Sequence, residues 1–298
     1  MSIEMDLLSA RMQTESVERI CQQRNHQMKQ VSQSLLAFID EEGLQSQSYE
    51  AAKDYLSTVY LPLIDGVILL NEAIIKAHQQ YVMSYVDEVD VNSLRSDVLE
   101  MQLRSLQDVV SQFEQIGDAD SPFRYLTGGV KELNTGLRHR IQQKLDLLIQ
   151  YDSRSVMVFN EVNELLALVK RGLQQVAGQR GWDPVNQQFN TNNLDLSWVA
   201  ETQNKKALSD LTLVIGQFPK VKPKMWRRLA DISKRHGDIE APTVLVDHMR
   251  QMAKTNDVVR NDLDKRLYSN TSVEVSPFTR KKLAIGTFKK SFDYLAKG

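Results

Sequence analysis

The stretch IEMDLLSARMQTESVERICQQRNHQMKQVSQSLLAF, residues 3–38, decides the fold class of this chain. Positions spaced alternately by four and three residues form an almost unbroken apolar stripe, and neither proline nor glycine occurs before Gly43. Heptad spacing of this kind keeps one face of a helix against a neighbouring helix. Such a helix would extend over roughly 55 Å, so the sequence predicts a second long helix beside it.

That second helix is predicted over 47–86, with Ser46 or Ser48 as its N-terminal cap. Pro62 removes one backbone donor and is expected to kink or split the helix. Beyond the proline, apolar residues occupy nearly the whole helix circumference, which is typical of a helix that is covered on several sides. Either the core of the chain itself or a separate protein supplies this cover.

The remaining pattern is also helical. Further long helices are predicted over 92–116 and 137–177, and residues 117–136 between them resemble a loop with a weak or short helix. The chain contains only 13 Gly and 7 Pro, too few for a β protein with many turns. We therefore predict an all-α protein in which long antiparallel helices form an elongated bundle, followed by a smaller region of short helices.

Charge divides the chain into two parts. The net charge is −1, but residues 201–298 contain 20 Lys or Arg against 11 Asp or Glu, and the first 200 residues contain 17 against 27. We therefore predict one helical domain over 1–200 and a basic region over 201–298, with residues 178–193 as their linker. The basic region is predicted to contain short helices at about 205–217, 224–235, 243–255, 257–268 and 278–295.

Several classes of protein do not fit the composition. A single cysteine, Cys21, and five dispersed histidines exclude a disulfide framework and give no metal cluster, so we predict neither metal nor cofactor. The N-terminus is acidic and lacks the pattern of a cleaved signal peptide. The most apolar stretch, 61–75, contains two carboxylates and is shorter than the ~20 apolar residues of a membrane span. No membrane span is therefore expected.

Candidates for chemistry are few. In the basic region, four side chains could meet as a nuclease-like acid and base set: His236, Asp238, Glu240 and His248. Basic clusters at 220–228 and 280–282 either bind an anionic surface, nucleic acid or lipid headgroups, or form a solvated face. In the latter case Trp226 belongs to a small core. No ordered catalytic motif accompanies these residues, so no enzymatic activity is assigned.

The segment GLQSQSYEAAKDYL, residues 43–56, and the apolar helix behind it resemble the LXG domain. LXG domains are the N-terminal targeting domains of polymorphic toxins that Gram-positive bacteria export through the type VII secretion system. The family has a Leu-x-Gly turn followed by a Tyr-x-x-Ala-Lys-x-Tyr helix start, and Ser46 replaces the turn glycine here if Leu44 is the motif leucine. The helix start is matched by Tyr49, Ala52, Lys53 and Tyr55, and the later Ala-His-Gln stretch by residues 77–79.

The resemblance implies a WxG-like helical hairpin that binds small helical partner proteins encoded nearby and carries an attached toxic activity to the type VII machinery. It also implies secretion from the cytoplasm without a cleaved signal peptide, and an immunity protein if a toxin domain is attached. The aromatic and acidic export signature of the pathway is matched only by Phe38 and Glu42, although Phe38 could instead pack the hairpin tip. The apolar residues expected at the partner interface are Leu7, Val17, Met28, Val31, Leu35, Val67, Leu70 and Ile74.

Two other functions are compatible with the sequence. The chain could be a complete small toxin whose basic C-terminal region acts on nucleic acid. It could also be a non-secreted structural coiled-coil protein, in which case the Tyr49–Tyr55 pattern arose by chance. The sequence specifies neither the target of a toxin nor the identity of the partners.

Overall fold

The computed structural model describes residues 2–116, 124–177, 180–216, 223–261 and 283–297, and this part of the chain is all-α, as predicted. It consists of two compact units, each formed by two separate segments of the chain. The first unit comprises Met1–Glu42 and Leu70–Arg171, and the second comprises Gly43–Leu69 and Gly172–Gly298. The predicted functional division at residue 200 remains a prediction.

The helices of the described residues follow the chain in this order: α1 Leu7–Ile39, α2 Gln47–Tyr55, α3 Leu61–Glu88, α4 Ser96–Ile116, α5 Arg124–Ser155, α6 Asn160–Val176, α7 Ser197–Ile215, α8 Pro223–Arg235, α9 Thr243–Ala253 and α10 Lys289–Leu295. A further helical segment, residues 257–261, lies between α9 and α10 in the chain. A π-helical turn, Leu56–Tyr60, joins α2 to α3, and 3₁₀ turns at Val156–Phe159 and Ile285–Phe288 precede α6 and α10. The strands are short: β1 Glu4–Met5, β2 Leu94–Arg95, β3 Trp182–Asp183 and β4 Gln188–Phe189.

In the first unit, α1 is antiparallel to the part of α3 that begins at Leu70. Buried Asn71 Nδ2 donates to Asn25 Oδ1 over 2.8 Å, and Gln79 Nε2 donates to Glu18 Oε2 over 3.3 Å. Later residues of α1 therefore face earlier residues of α3, as in a helical hairpin. The predicted antiparallel arrangement of these two helices is confirmed over this length.

The ends of this unit are fixed by a small sheet and by aromatic residues. Strands β1 and β2 pair antiparallel, and Asp6 caps α1 by accepting hydrogen bonds from Leu8 N and Ser9 N. The hydroxyl group of Tyr151 donates to Tyr81 O over 2.6 Å. The core of this unit is formed by Met5, Leu7, Tyr85, Leu99, Leu145, Leu148 and Tyr151.

One expectation for the connecting segments is wrong, and the other remains a prediction. The described part of 117–136 is helical, because α5 begins at Arg124 and packs along α4, where Asn134 Nδ2 donates to Leu106 O over 2.9 Å. The described part of the linker 178–193 contains the β3–β4 hairpin. Pro62, as expected, coincides with a break in regular α-helix, since the π-helical turn ends two residues before it.

In the second unit, helices α7 to α10 enclose an apolar core. Its large, fully buried side chains include Leu211, Leu229, Leu245, Met249, Phe288 and Phe292. The predicted starts of α8 and α9 agree with the structure to within one residue, and residues 257–261 are helical. The remainder of the predicted helix 257–268 and residues 278–282 lie outside the described residues.

The continuous helix Gln47–Glu88 has 42 residues and, by length and composition alone, could cross a membrane. Half of its most apolar window is buried inside the protein. A core helix meets the same criterion, so length and composition do not distinguish the two roles. The expectation that the chain has no membrane span remains a prediction.

Candidate partner-binding site

The motif segment forms a capped and tied turn before α2. Ser46 has φ −108°, which is ordinary extended backbone, and its Oγ accepts a hydrogen bond from Tyr49 N over 3.3 Å. Lys53 Nζ donates to Leu44 O over 3.1 Å and pairs with Glu50 over 3.3 Å. The turn therefore needs no glycine at position 46, because the serine supplies a helix cap that glycine lacks.

Tyr55 is the buried centre of this segment. Its ring stacks on Phe189 at 4.6 Å between ring centroids, and Trp182 makes a T-shaped contact with Phe189 at 5.1 Å between centroids. Burial raises the pKa of Tyr55. The β3–β4 hairpin thus covers the motif tyrosine, a contact that the sequence did not indicate. Ala52 is partly buried, whereas Tyr49 remains 43% exposed.

The predicted interface residues differ widely in exposure. Leu7 is buried in the core of the first unit, so it is not available to a partner. Val31 is 45% exposed and is the most accessible member of the set. The remaining six are partly buried: Val17, Met28, Leu35, Val67, Leu70 and Ile74. The heptad seam is therefore covered to a large extent by the protein itself.

The possible export signature lies at the end of α1. Phe38 is partly buried in its last turn, and Glu42 is exposed in the turn that follows. The two side chains belong to the end of one helix and to a turn. They do not lie together on a helical arm.

The second unit contains a charged cavity of about 490 Å³. Asp65 of α3, Lys206 of α7 and His236 at the end of α8 line it, together with Arg235. Burial raises the pKa of the Asp65 carboxyl, Lys206 opposes this shift and Asp210 adds to it. Burial and neighbouring Arg235 lower the pKa of His236, while Asp238 raises it. The pKa of Asp65 is therefore raised and that of His236 is lowered, so the two values approach each other within one cavity.

The geometry around His236 favours one tautomer. Its Nδ1 lies 3.1 Å from Asn204 Oδ1, which can only accept a hydrogen bond. Nδ1 therefore carries the proton in the neutral ring, and Nε2 is left as an acceptor. Such a nitrogen can act as a general base for a substrate in the cavity.

The other candidates of the basic region have different surroundings. His248 stacks on Trp226 with 6.1 Å between ring centroids, and burial lowers its pKa. Trp226 is buried in the small core, as predicted. Glu240 pairs through its backbone with Ala284, and neither it nor Asp238 lines the cavity.

The described part of the first basic cluster contains one residue with a defined ion pair. Arg228 pairs with Asp210, whereas 220–222 and 280–282 lie outside the described residues. Within the described ranges, His, Cys, Asp and Glu side chains form no group of three that could hold a metal ion.

Comparison with known proteins gives one relevant similarity. The chain is 29% identical over 204 residues to a Bacillus cereus protein named Toxin. The matched residues are 68% of this chain and 37% of the Bacillus cereus protein, so the chain spans well under half of that relative's length. No family model matches the chain, and no solved structure matches it.

Proposed function

We propose that this chain is the helical targeting module of a secreted bacterial toxin, of the type that resembles LXG domains. In this proposal it binds small helical partner proteins encoded nearby, leaves the cytoplasm through the type VII machinery without a cleaved signal peptide, and delivers a toxic activity. An immunity protein protects the producing cell if a toxin domain is attached.

The observation that carries the proposal is the similarity to the Bacillus cereus protein named Toxin over 68% of the chain. The motif segment adds support, because two of its motif residues have structural roles. Lys53 donates to the backbone of the turn, and Tyr55 is buried against Phe189. The antiparallel pairing of α1 with α3 is also the arrangement that a helical hairpin module requires.

Secretion and partner binding can be tested together. The tagged chain is expressed with its neighbouring small open reading frames in a host that has a type VII system, and in the same host without the secretion ATPase. We expect the chain in the medium only with the intact system, and co-purification of at least one small helical protein. Equal amounts in both media, with no co-purifying protein, would contradict the proposal.

The charged cavity of the second unit supports a second candidate function, a toxin that acts on nucleic acid. Arg235 would attract a phosphate group, together with Lys206, which also pairs with cavity-lining Asp210 over 3.4 Å. His236 Nε2 and the Asp65 carboxyl would supply the base and the acid. These four side chains line one cavity, whereas of the set suggested by the sequence, His236, Asp238, Glu240 and His248, only His236 lines it.

This candidate predicts growth arrest when the full chain is expressed in a bacterial cytosol. His236→Ala and Asp65→Asn should relieve the arrest, because loss of a general acid or base costs roughly 100- to 10,000-fold in rate. His248→Ala is the matched control, since His248 does not line the cavity. Harmless expression of the unmodified chain would remove this candidate and leave the targeting function.

A further inference from the structure

The hairpin of α4 and α5 carries an open groove on the surface of the first unit. One part, of about 510 Å³, lies between the two helices beside Val98 and Leu137. A second part, of about 520 Å³, continues along α5 beside Leu133. Leu137 and Arg140 line both parts, so the two form one continuous groove.

The groove is apolar where the hairpin leaves the core. Leu99 and Leu145 pack inside the first unit, but among the side chains from Lys131 to Arg140 only Asn134 is buried. Leu133 is 72% exposed and Leu137 is 48% exposed. These side chains lie on one face of α5, because they are four residues apart.

Two glycines in the groove leave room for a second helix to approach closely. A Cβ atom added at Gly129 or Gly136 would meet nothing within 4 Å, so neither glycine is needed for contacts inside the chain. Both line the groove. Glycine in a helix interior is destabilising compared with alanine, and it lets another backbone come near.

Charge indicates which occupant the groove favours. Lys144 and Arg95 lie at one end, where they pair with Asp90 and Asp97. Exposed Glu132 lies in the second part of the groove, and Arg140 lies eight positions further along α5, at the junction of the two parts. Arg140 is exposed and has no ion pair within the described residues. An occupant with a carboxylate at this position would therefore gain a charge-assisted contact.

We propose that the groove binds one amphipathic helix of a separate protein, with its apolar face on Leu133 and Leu137 and a carboxylate at Arg140. The span from Gly129 to Lys144 corresponds to about 22 Å of helix, which accommodates four turns of a partner. The inference rests on the partner binding of the proposed function and locates it.

A synthetic helix tests the site without a natural partner. The probe is a fluorescein-labelled peptide of 18 residues with Leu and Ala on one face and Glu beside them, and the matched peptide has Lys in place of Glu. Anisotropy with the full chain should show saturable binding of the Glu peptide, at least about tenfold tighter than that of the Lys peptide. Arg140→Glu and Leu137→Asp should each weaken it about tenfold or more.

Arg19→Glu, the same charge change at an exposed position of α1 outside the groove, should leave binding unchanged, and circular dichroism melting should show that every variant folds. No saturable binding of the Glu peptide, equal binding of both peptides, or equal loss with Arg19→Glu would overturn the proposal. So would a concentration-dependent dimer that Leu137→Asp disperses, which would assign the groove to a second copy. A natural partner whose complex survives Arg140→Glu would refute this location while upholding partner binding.

Discussion

At the scale of single residues, the lack of a side chain at Gly181 leaves room for the ring of Tyr55. A Cβ atom at this position would lie 2.2 Å from Cε2 of the Tyr55 ring. We expect Gly181→Ala to destabilise the protein by about 1–3 kcal/mol, because the crowded ring must move from its stack on Phe189. Urea unfolding followed by circular dichroism measures the change.

Gly128→Ala is the matched substitution in an open position. A Cβ atom there would meet nothing within 4 Å, so the only effect is on helix propensity. This variant should be stabilised by about 0.5–1 kcal/mol. If both alanines shifted the midpoint in the same direction, the close packing of Gly181 on Tyr55 would be wrong.

Asp65 should make stability depend on pH. Its raised pKa means that the folded protein disfavours the carboxylate, mainly through burial. The penalty is present in full above the folded pKa and disappears as the pH falls towards the unfolded value of 3.8. Asp65→Asn should therefore raise the melting temperature at pH 7.5 and have little effect at pH 4.

The control for this measurement is Asp231→Asn, which changes an exposed carboxylate on α8 of the same unit. A rise in melting temperature that is equal at both pH values would show that the gain from Asp65→Asn does not come from ionisation. A similar rise with Asp231→Asn would assign it to the net charge of the chain.

At the scale of elements, one buried polar pair sets how α1 and α3 meet. Asn25 and Asn71 are 8% and 4% exposed, and their 2.8 Å hydrogen bond joins the two helices. Asn71→Leu alone should cost about 1–3 kcal/mol, because it leaves the amide of Asn25 buried without its partner.

Replacing both residues by leucine should recover most of that loss, since no buried polar group is then left unpaired. A double-mutant cycle in urea isolates the coupling between the two positions. Additive single effects would mean that the asparagines do not stabilise one another across the helices.

The sequence predicted the long helices well, because heptad spacing and a scarcity of breakers report directly on helix packing. It failed over 124–136, where three glycines weaken helix propensity but contacts with α4 maintain α5. It also missed the β3–β4 hairpin, since two-residue strands leave no periodic pattern. Trp182 and Phe189 were the available signals, as two aromatic residues in a mostly polar segment.

The sequence also predicted the candidate sites only where their residues are close together along the chain. Lys53 and Tyr55 could be identified from a local motif, because their spacing along one helix is visible in the sequence. The charged cavity could not be predicted, since Asp65 and His236 are 171 positions apart and only the fold brings them to one cavity.

At the scale of the whole molecule, each unit is discontinuous in sequence. The second unit takes Gly43–Leu69 from within the N-terminal part, so a division by charge alone does not describe its contacts. Its α7–α10 core, in contrast, uses only residues between Ala207 and Ala296. This core has the continuity that an independently folding segment requires.

We therefore expect a fragment that begins at Ser197 and ends at Gly298 to fold on its own. The cut at residue 200 suggested by charge would remove the first turn of α7, which begins at Ser197. The fragment 197–298 should show a single cooperative thermal transition, whereas 212–298 should not, because it lacks the buried Ala207 and Leu211. Calorimetry and near-ultraviolet circular dichroism distinguish the two fragments. A broad transition of 197–298 with strong dye binding would show that this core needs the earlier segments, because a loosely packed core exposes its apolar side chains.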